Sequence, residues 1–208
     1  MKIGLLGAGT VAQAFARHAI TAGHEVLFSN SRGPDSLKTL IEGFGEQTSA
    51  GTMEEAAKQD VVLLAVPWTK VETILKKLDG WQNQILIDPT NGLDENGLVD
   101  LKGENSSQIV AKLTPGARIV KAMNANFMEN FEKEPREDQF RRVIFISGDD
   151  ANAVDLVADL FEEFGLAPVL LGSLEKGGHM QAVGNTLAGH DFFLPWPARR
   201  SFPGFNGE

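Results

Sequence analysis

The sequence predicts an α/β protein: a doubly wound, mainly parallel Rossmann-type sheet of about eight strands, ending in a short helix and an irregular tail. Three observations carry that reading. Strand-like and helical patterns alternate from Lys2 to Leu171. The run DVVLLAV, residues 60–66, is continuously apolar, as in a strand buried on both faces of a parallel sheet. The first strand runs into a glycine turn, Gly7-Ala8-Gly9-Thr10-Val11-Ala12, that opens a helix.

The elements follow in order. Lys2–Leu6 is the first strand, and residues 10–22 form a helix with Val11, Ala14, Phe15 and His18 or Ala19 on one stripe. Gly23 ends it. Glu25–Ser29 is the second strand, residues 34–41 open a helix, and residues 47–50 are a short third strand. Thr52 with Glu55 three residues later is a capping box, so residues 52–57 start a helix. Residues 60–66 are the fourth strand and residues 70–78 are helical. Residues 84–87 are the fifth strand, running into Asp88-Pro89-Thr90-Asn91-Gly92. Arg118–Ala122 is the sixth strand and residues 142–147 the seventh. Residues 150–164 form an amphipathic helix on Val154, Leu156, Val157, Leu160, Phe161 and Phe164. Residues 167–171 are the eighth strand, and no repeat or linker interrupts the series.

Composition narrows the function. With 208 residues, 42% hydrophobic and 23% charged, the chain fits one globular domain. A net charge of -9 without a Lys/Arg run argues against nucleic acid and anionic membranes as partners. No apolar run reaches the roughly 20 residues a spanning helix needs. Met1-Lys2 leads at once into a strand, with no signal-peptide pattern, so a cytoplasmic location is expected. Zero Cys excludes disulfides, thiolate nucleophiles and Cys-ligated metals, and zero Tyr excludes a dehydrogenase that protonates its substrate with a phenol. His18, His24, His179 and His190 lack metal-ligand spacing, so no metal site is expected.

The glycine turn points to a dinucleotide. Gly7 permits the tight turn, Gly9 lets a pyrophosphate approach the backbone, and Ala12 lets the helix pack closely on the strand. The helix amino terminus offers free N–H groups and the positive end of its dipole. The NAD version of this unit carries an Asp or Glu about 20 residues later. Here that place holds Asn30-Ser31-Arg32. A carboxylate would repel the 2′-phosphate of NADP, whereas Arg32 grips it with a fork of donors and Ser31 adds a hydroxyl. Lys38, about a turn into the next helix, adds charge. The cofactor predicted is NADP(H). Residues 1–172 are accordingly read as an NADP-binding domain, and residues 173–208 as a helix and tail that close the cleft or form a dimer contact.

With GAGTVA, the Asn30-Ser31-Arg32 triplet, Ala65-Val66-Pro67 and Asp88-Pro89-Thr90-Asn91, the chain resembles the NADPH-dependent reductases of the deazaflavin coenzyme F-420. It is also similar to the cytosolic domains of six-transmembrane ferric reductases. The resemblance implies a single Rossmann domain, commonly a homodimer. It implies that Gly7, Gly9, Thr10, Val11 and Ala12 hold the pyrophosphate and that Ser31 and Arg32 hold the 2′-phosphate. It implies further that Ala65, Val66 and Pro67 pass beneath the cofactor, and that Asn91 and Asn124 lie near the nicotinamide. Gly33 departs from members with a second basic residue there, which implies a weaker grip on the 2′-phosphate.

Reducing a carbonyl needs a proton donor as well as a hydride, and few acids fall at strand ends. Asp88 and Lys121 close neighbouring strands and are expected to pair with each other rather than do chemistry. No catalytic residue is assigned. The function expected is hydride transfer between NADPH and a small-molecule acceptor, F-420 or a flavin. The alternatives are a sensor or regulatory module without turnover and a reductase of ferric chelates or quinones. Phe192, Phe193, Leu194 and Trp196 in the tail are expected to be covered, over the acceptor side of the cleft or by a second subunit.

Overall fold

The computed structural model describes residues 1–78 and 80–197. The amino-terminal half holds β1 (Lys2–Leu6), α1 (Thr10–Thr21), β2 (Glu25–Ser29), α2 (Lys38–Phe44), β3 (Thr48–Ala50), α3 (Met53–Ala57), β4 (Val61–Leu64), α4 (Trp68–Leu75) and β5 (Ile85–Asp88). A hairpin of β6 (Leu93–Asp94) and β7 (Gly97–Leu98) comes next, then α5 (Ser106–Leu113), β8 (Arg118–Ala122), α6 (Met128–Phe131) and β9 (Arg136–Glu137). The chain continues through β10 (Phe140–Gly148), α7 (Ala151–Glu163), β11 (Ala167–Leu170), α8 (Lys176–Gln181) and β12 (Phe193–Pro195).

Eight strands form one path in the order β11-β10-β8-β5-β4-β1-β2-β3. From β3 to β8 every neighbour is parallel, and β10 is antiparallel to β8. Strand order reverses at β1 and β4, which opens the crevice where such sheets bind ligands. The continuous apolar runs follow from two-sided burial. Along β4, Val61 and Leu63 pack in one layer with Phe15 of α1 and Phe161 of α7. Val62 and Leu64 pack in the other with Val71 and Leu75 of α4 and Val110 of α5. Gly4 is required by contact: a Cβ there would lie 2.0 Å from the Ala56 carbonyl oxygen of α3.

The structure differs from the sequence reading in three places. Residues 34–41 split into a 3-10 turn, Pro34–Leu37, followed by α2. The stretch between β5 and β8, given no element above, holds the hairpin and α5. Its signals are local: Asn96 in the turn with Gly97 directly after it at φ 113°, and Asn105 with Gln108, which form a capping box. The tail is not irregular throughout. Its β12 pairs antiparallel with the start of β10, and the short β9 also pairs there. The Arg141 and Arg142 guanidiniums lie over the Trp196 and Phe193 rings, each 4.8 Å from the centroid. Arg142 also bonds Asp191 at 2.7 Å. Phe193, Leu194 and Trp196 are thus half-buried on their own chain, while Phe192 stays 40% exposed.

Candidate cofactor-binding site

A cleft of about 480 Å³ opens at the carboxyl ends of β1, β4 and β5. It brings together Gly9, Thr10, Val11, Ala65, Val66, Pro67 and Asn91, all named from sequence, with Trp68, Pro89, Thr90 and Leu93. The two glycines of the turn do different work. Gly7 has φ 121°, and a Cβ on it would lie 2.0 Å from the Ala65 carbonyl oxygen. Its N–H donates to the Ser29 carbonyl at 3.1 Å. Gly7 therefore closes the junction of β1, β2 and β4. A Cβ on Gly9 would meet nothing within 4 Å, so only a ligand needs that space. Gly9 is also the N-cap of α1 and supplies no side-chain acceptor, and the first turn carries no acid. The amides there are left for an anion. Ala12 is fully buried in the layer beneath. These features fit a pyrophosphate.

Beyond β2 the loop carries Ser31 and Arg32, both exposed. Among the described residues the Arg32 guanidinium has no hydrogen bond or ion pair. Asn30 shapes this loop: its Oδ1 accepts from the Arg32 N–H at 2.8 Å, and its Nδ2 donates to Ser36 Oγ at 2.9 Å. Gly33 has φ 87°, a conformation that disfavours a second basic side chain at this place. A cavity of about 300 Å³ beside the loop is lined by Asn30, Ser31 and Gly33 with Thr52, Met53, Glu54 and Lys77. Lys77, a cation that the sequence reading missed, lies just past the end of α4 and carries no local signal. Lys38 lies outside that lining and pairs with Asp35 at 3.0 Å, so its charge is offset.

At the other end of the cleft the side chains bind one another. Asn91 donates to the Asn124 carbonyl at 2.8 Å, and its Oδ1 accepts from Asn124 Nδ2 and from the Val183 N–H, both at 3.1 Å. Asn124 Nδ2 also donates to the Gln181 carbonyl at 2.8 Å. Gln181 is fully buried and reaches Ser147 Oγ at 2.9 Å. Asn91, Asn124 and α8 are therefore one unit, and Asn91 divides the cleft from a second cavity of about 220 Å³ lined by His179, Val183 and Ser106.

Asp88 and Lys121 face each other across β5 and β8, and both are fully buried. They do not touch directly, as the sequence suggested; Ser107 stands between them. Ser107 Oγ donates to Asp88 Oδ2 at 2.5 Å and accepts from Lys121 Nζ at 3.2 Å. Lys121 also donates to Ser106 Oγ at 2.8 Å and to the Thr90 carbonyl at 2.9 Å. Burial pushes the Lys121 ammonium down to about 8, against the opposing pull of Asp88. Ser106 and Ser107 were missed from sequence because they open α5, an element that the sequence reading left unassigned. His18 and His24 are structural: His18 Nε2 bonds the Phe131 carbonyl and His24 Nε2 bonds Glu163, each at 2.7 Å. Burial holds His18 below its usual value.

Residues 2–92 match the family described as NADP oxidoreductase, coenzyme F-420-dependent. Over 93% of this chain and 96% of the other, the fold matches a hypothetical protein of Sinorhizobium meliloti, at 34% identity and TM-score 0.87. Over residues 2–92 the chain thus falls within this family of NAD(P)-dependent oxidoreductases. A candidate F-420-dependent NADP-reductase of Arthrobacter sp. shares the fold at TM-score 0.73 and 24% identity, over 87% of this chain and 90% of that one. The metalloreductase STEAP3 of Rattus norvegicus is 26% identical over 183 residues, 88% of this chain. The chain spans only 36% of that relative's length. Among the described residues no helix is long and apolar enough to cross a membrane.

Proposed function

We propose that this chain transfers a hydride between NADPH and a flavin- or deazaflavin-type acceptor such as coenzyme F-420. The observation that carries the reading is the lining of the 480 Å³ cleft, which among the described residues contains no titratable side chain. A carbonyl substrate needs a positioned acid, whereas an extended ring that takes a hydride makes no such demand of the protein. Gly9 and the amides opening α1 would hold the pyrophosphate, and Ser31 and Arg32 the 2′-phosphate. The bound cofactor supplies a hydride at its nicotinamide ring. The protein's part is to orient the reactants and exclude water, with Trp68 and Asn91 as walls. The likeness to a metalloreductase favours a second reading, in which the acceptor is a ferric chelate.

The test is to mix the protein with NADPH and, separately, F-420, FMN, FAD, ferric chelates and quinones, and to follow absorbance at the NADPH band. Oxidation with F-420 or a flavin supports the proposal, and oxidation with ferric chelates alone supports the second reading. Tight NADPH binding without oxidation by any acceptor would replace both with a sensor that does not turn over.

A further inference from the structure

Among the described residues, Thr90 Oγ1, Asn124 Oδ1, Asn126 Oδ1 and Gln181 Oε1 are buried without a hydrogen-bond partner. Of their four residues only Thr90 lines the 480 Å³ cleft. Leaving a buried hydroxyl unpaired is unfavourable, so its partner is to be sought in what fills the cleft.

The backbone of Thr90 is held on both sides. Its N–H donates to Asp88 Oδ1 at 2.9 Å. Its carbonyl accepts from Lys121 Nζ at 2.9 Å and from Ser106 Oγ at 2.8 Å. A buried Lys and a buried Asp are expensive to desolvate, and here both converge on one threonine. Such clamping fixes the direction of a side chain that must meet a ligand in one geometry.

Sheet order says which part of the cofactor arrives there. Arg32 follows β2, Gly9 follows β1, Val66 follows β4 and Thr90 follows β5, and these strands lie side by side in the order β5-β4-β1-β2. With the 2′-phosphate at Arg32 and the pyrophosphate at Gly9, the nicotinamide end falls at β5. Its carboxamide carries a donor and an acceptor, and a threonine hydroxyl pairs with either. Resting on the NADP(H) reading above, we propose that Thr90 Oγ1 hydrogen-bonds the nicotinamide carboxamide and fixes the rotation of that ring.

The experiment titrates two ligands, NADPH and 2′,5′-ADP, which lacks the nicotinamide riboside, into wild type, Thr90→Val and Thr90→Ser by calorimetry. Thr90→Val should weaken NADPH about five- to tenfold, leave 2′,5′-ADP unchanged and keep the melting temperature at or above that of wild type. Thr90→Ser should restore most of the NADPH affinity. Unchanged NADPH affinity in Thr90→Val, an equal loss for both ligands, or a lowered melting temperature would overturn the assignment. If wild type binds neither ligand, the NADP(H) reading falls and takes this inference with it.

Discussion

At the carboxyl ends of β1 and β2, Gly9, Ser31 and Arg32 are exposed, and among the described residues the Arg32 guanidinium has no hydrogen bond or ion pair. At the ends of β5 and β8, Asp88, Ser107 and Lys121 are fully buried and bind one another. The first region keeps donors and space in reserve, as a site completed by a ligand's charge would have to do. The second region satisfies itself, as a wall that holds a ring at a fixed angle would have to do. A substitution at the first end should therefore change binding and spare the fold. One at the second should do the reverse, unless it falls on a group left unpaired.

The glycine turn gives the sharpest break between these classes. Gly9→Val should abolish NADPH binding while its urea midpoint matches wild type, since a side chain there meets only open space. Gly7→Val, two residues away, should lose the fold itself, because its Cβ would collide with the Ala65 carbonyl and φ 121° disfavours any side chain. Normal NADPH binding by Gly9→Val would place the phosphate turn elsewhere.

Lys121→Met comes next. It strands the Asp88 carboxylate in the core, and breaking a buried pair in this way costs about 3–5 kcal/mol. Urea denaturation should show that loss, and a change below about 1 kcal/mol would mean that the network is not the structural element described. Arg32→Ala should leave the urea midpoint unmoved but cost about 1.5–3 kcal/mol of NADPH binding, roughly tenfold to a hundredfold. Unchanged NADPH affinity in that variant would remove Arg32 from the site.

The smallest effect concerns protonation. Lys121 should titrate near 8 rather than 10.5 in a carbon-detected lysine NMR experiment on the folded protein. Between those values the unfolded chain holds a proton that the folded one has released, so this group makes the protein more stable as pH rises through that window. A Lys121 titration at the ordinary value would mean that water or an ion relieves its burial.

The sequence made the two ends unequally legible, and the reason is chain distance. Gly7, Gly9, Ser31 and Arg32 lie within one β-α-β unit, where a motif of fixed spacing states its own physics. The buried network at the ends of β5 and β8 is assembled from Asp88, Ser106, Ser107, Lys121 and Gln181, residues brought together only by the order of strands and the path of α5 and α8. Polar residues of that kind read as loop or helix cap until the fold joins them. Asp88 and Lys121 could be matched from strand ends, but Ser107 between them could not. Lys38 pairs with its neighbour Asp35 and lies outside the lining of the cavity beside the loop, while Lys77 lines that cavity from just past the end of α4.

The proposed role of Arg32 and Ser31 is to select a 2′-phosphate where related units hold ribose hydroxyls. Calorimetric titration of NADPH and NADH into the wild-type protein, at equal ionic strength, tests that selection most directly. Tighter binding of NADPH by about tenfold to a hundredfold is the expected result. Equal affinities, or a preference for NADH, would contradict it.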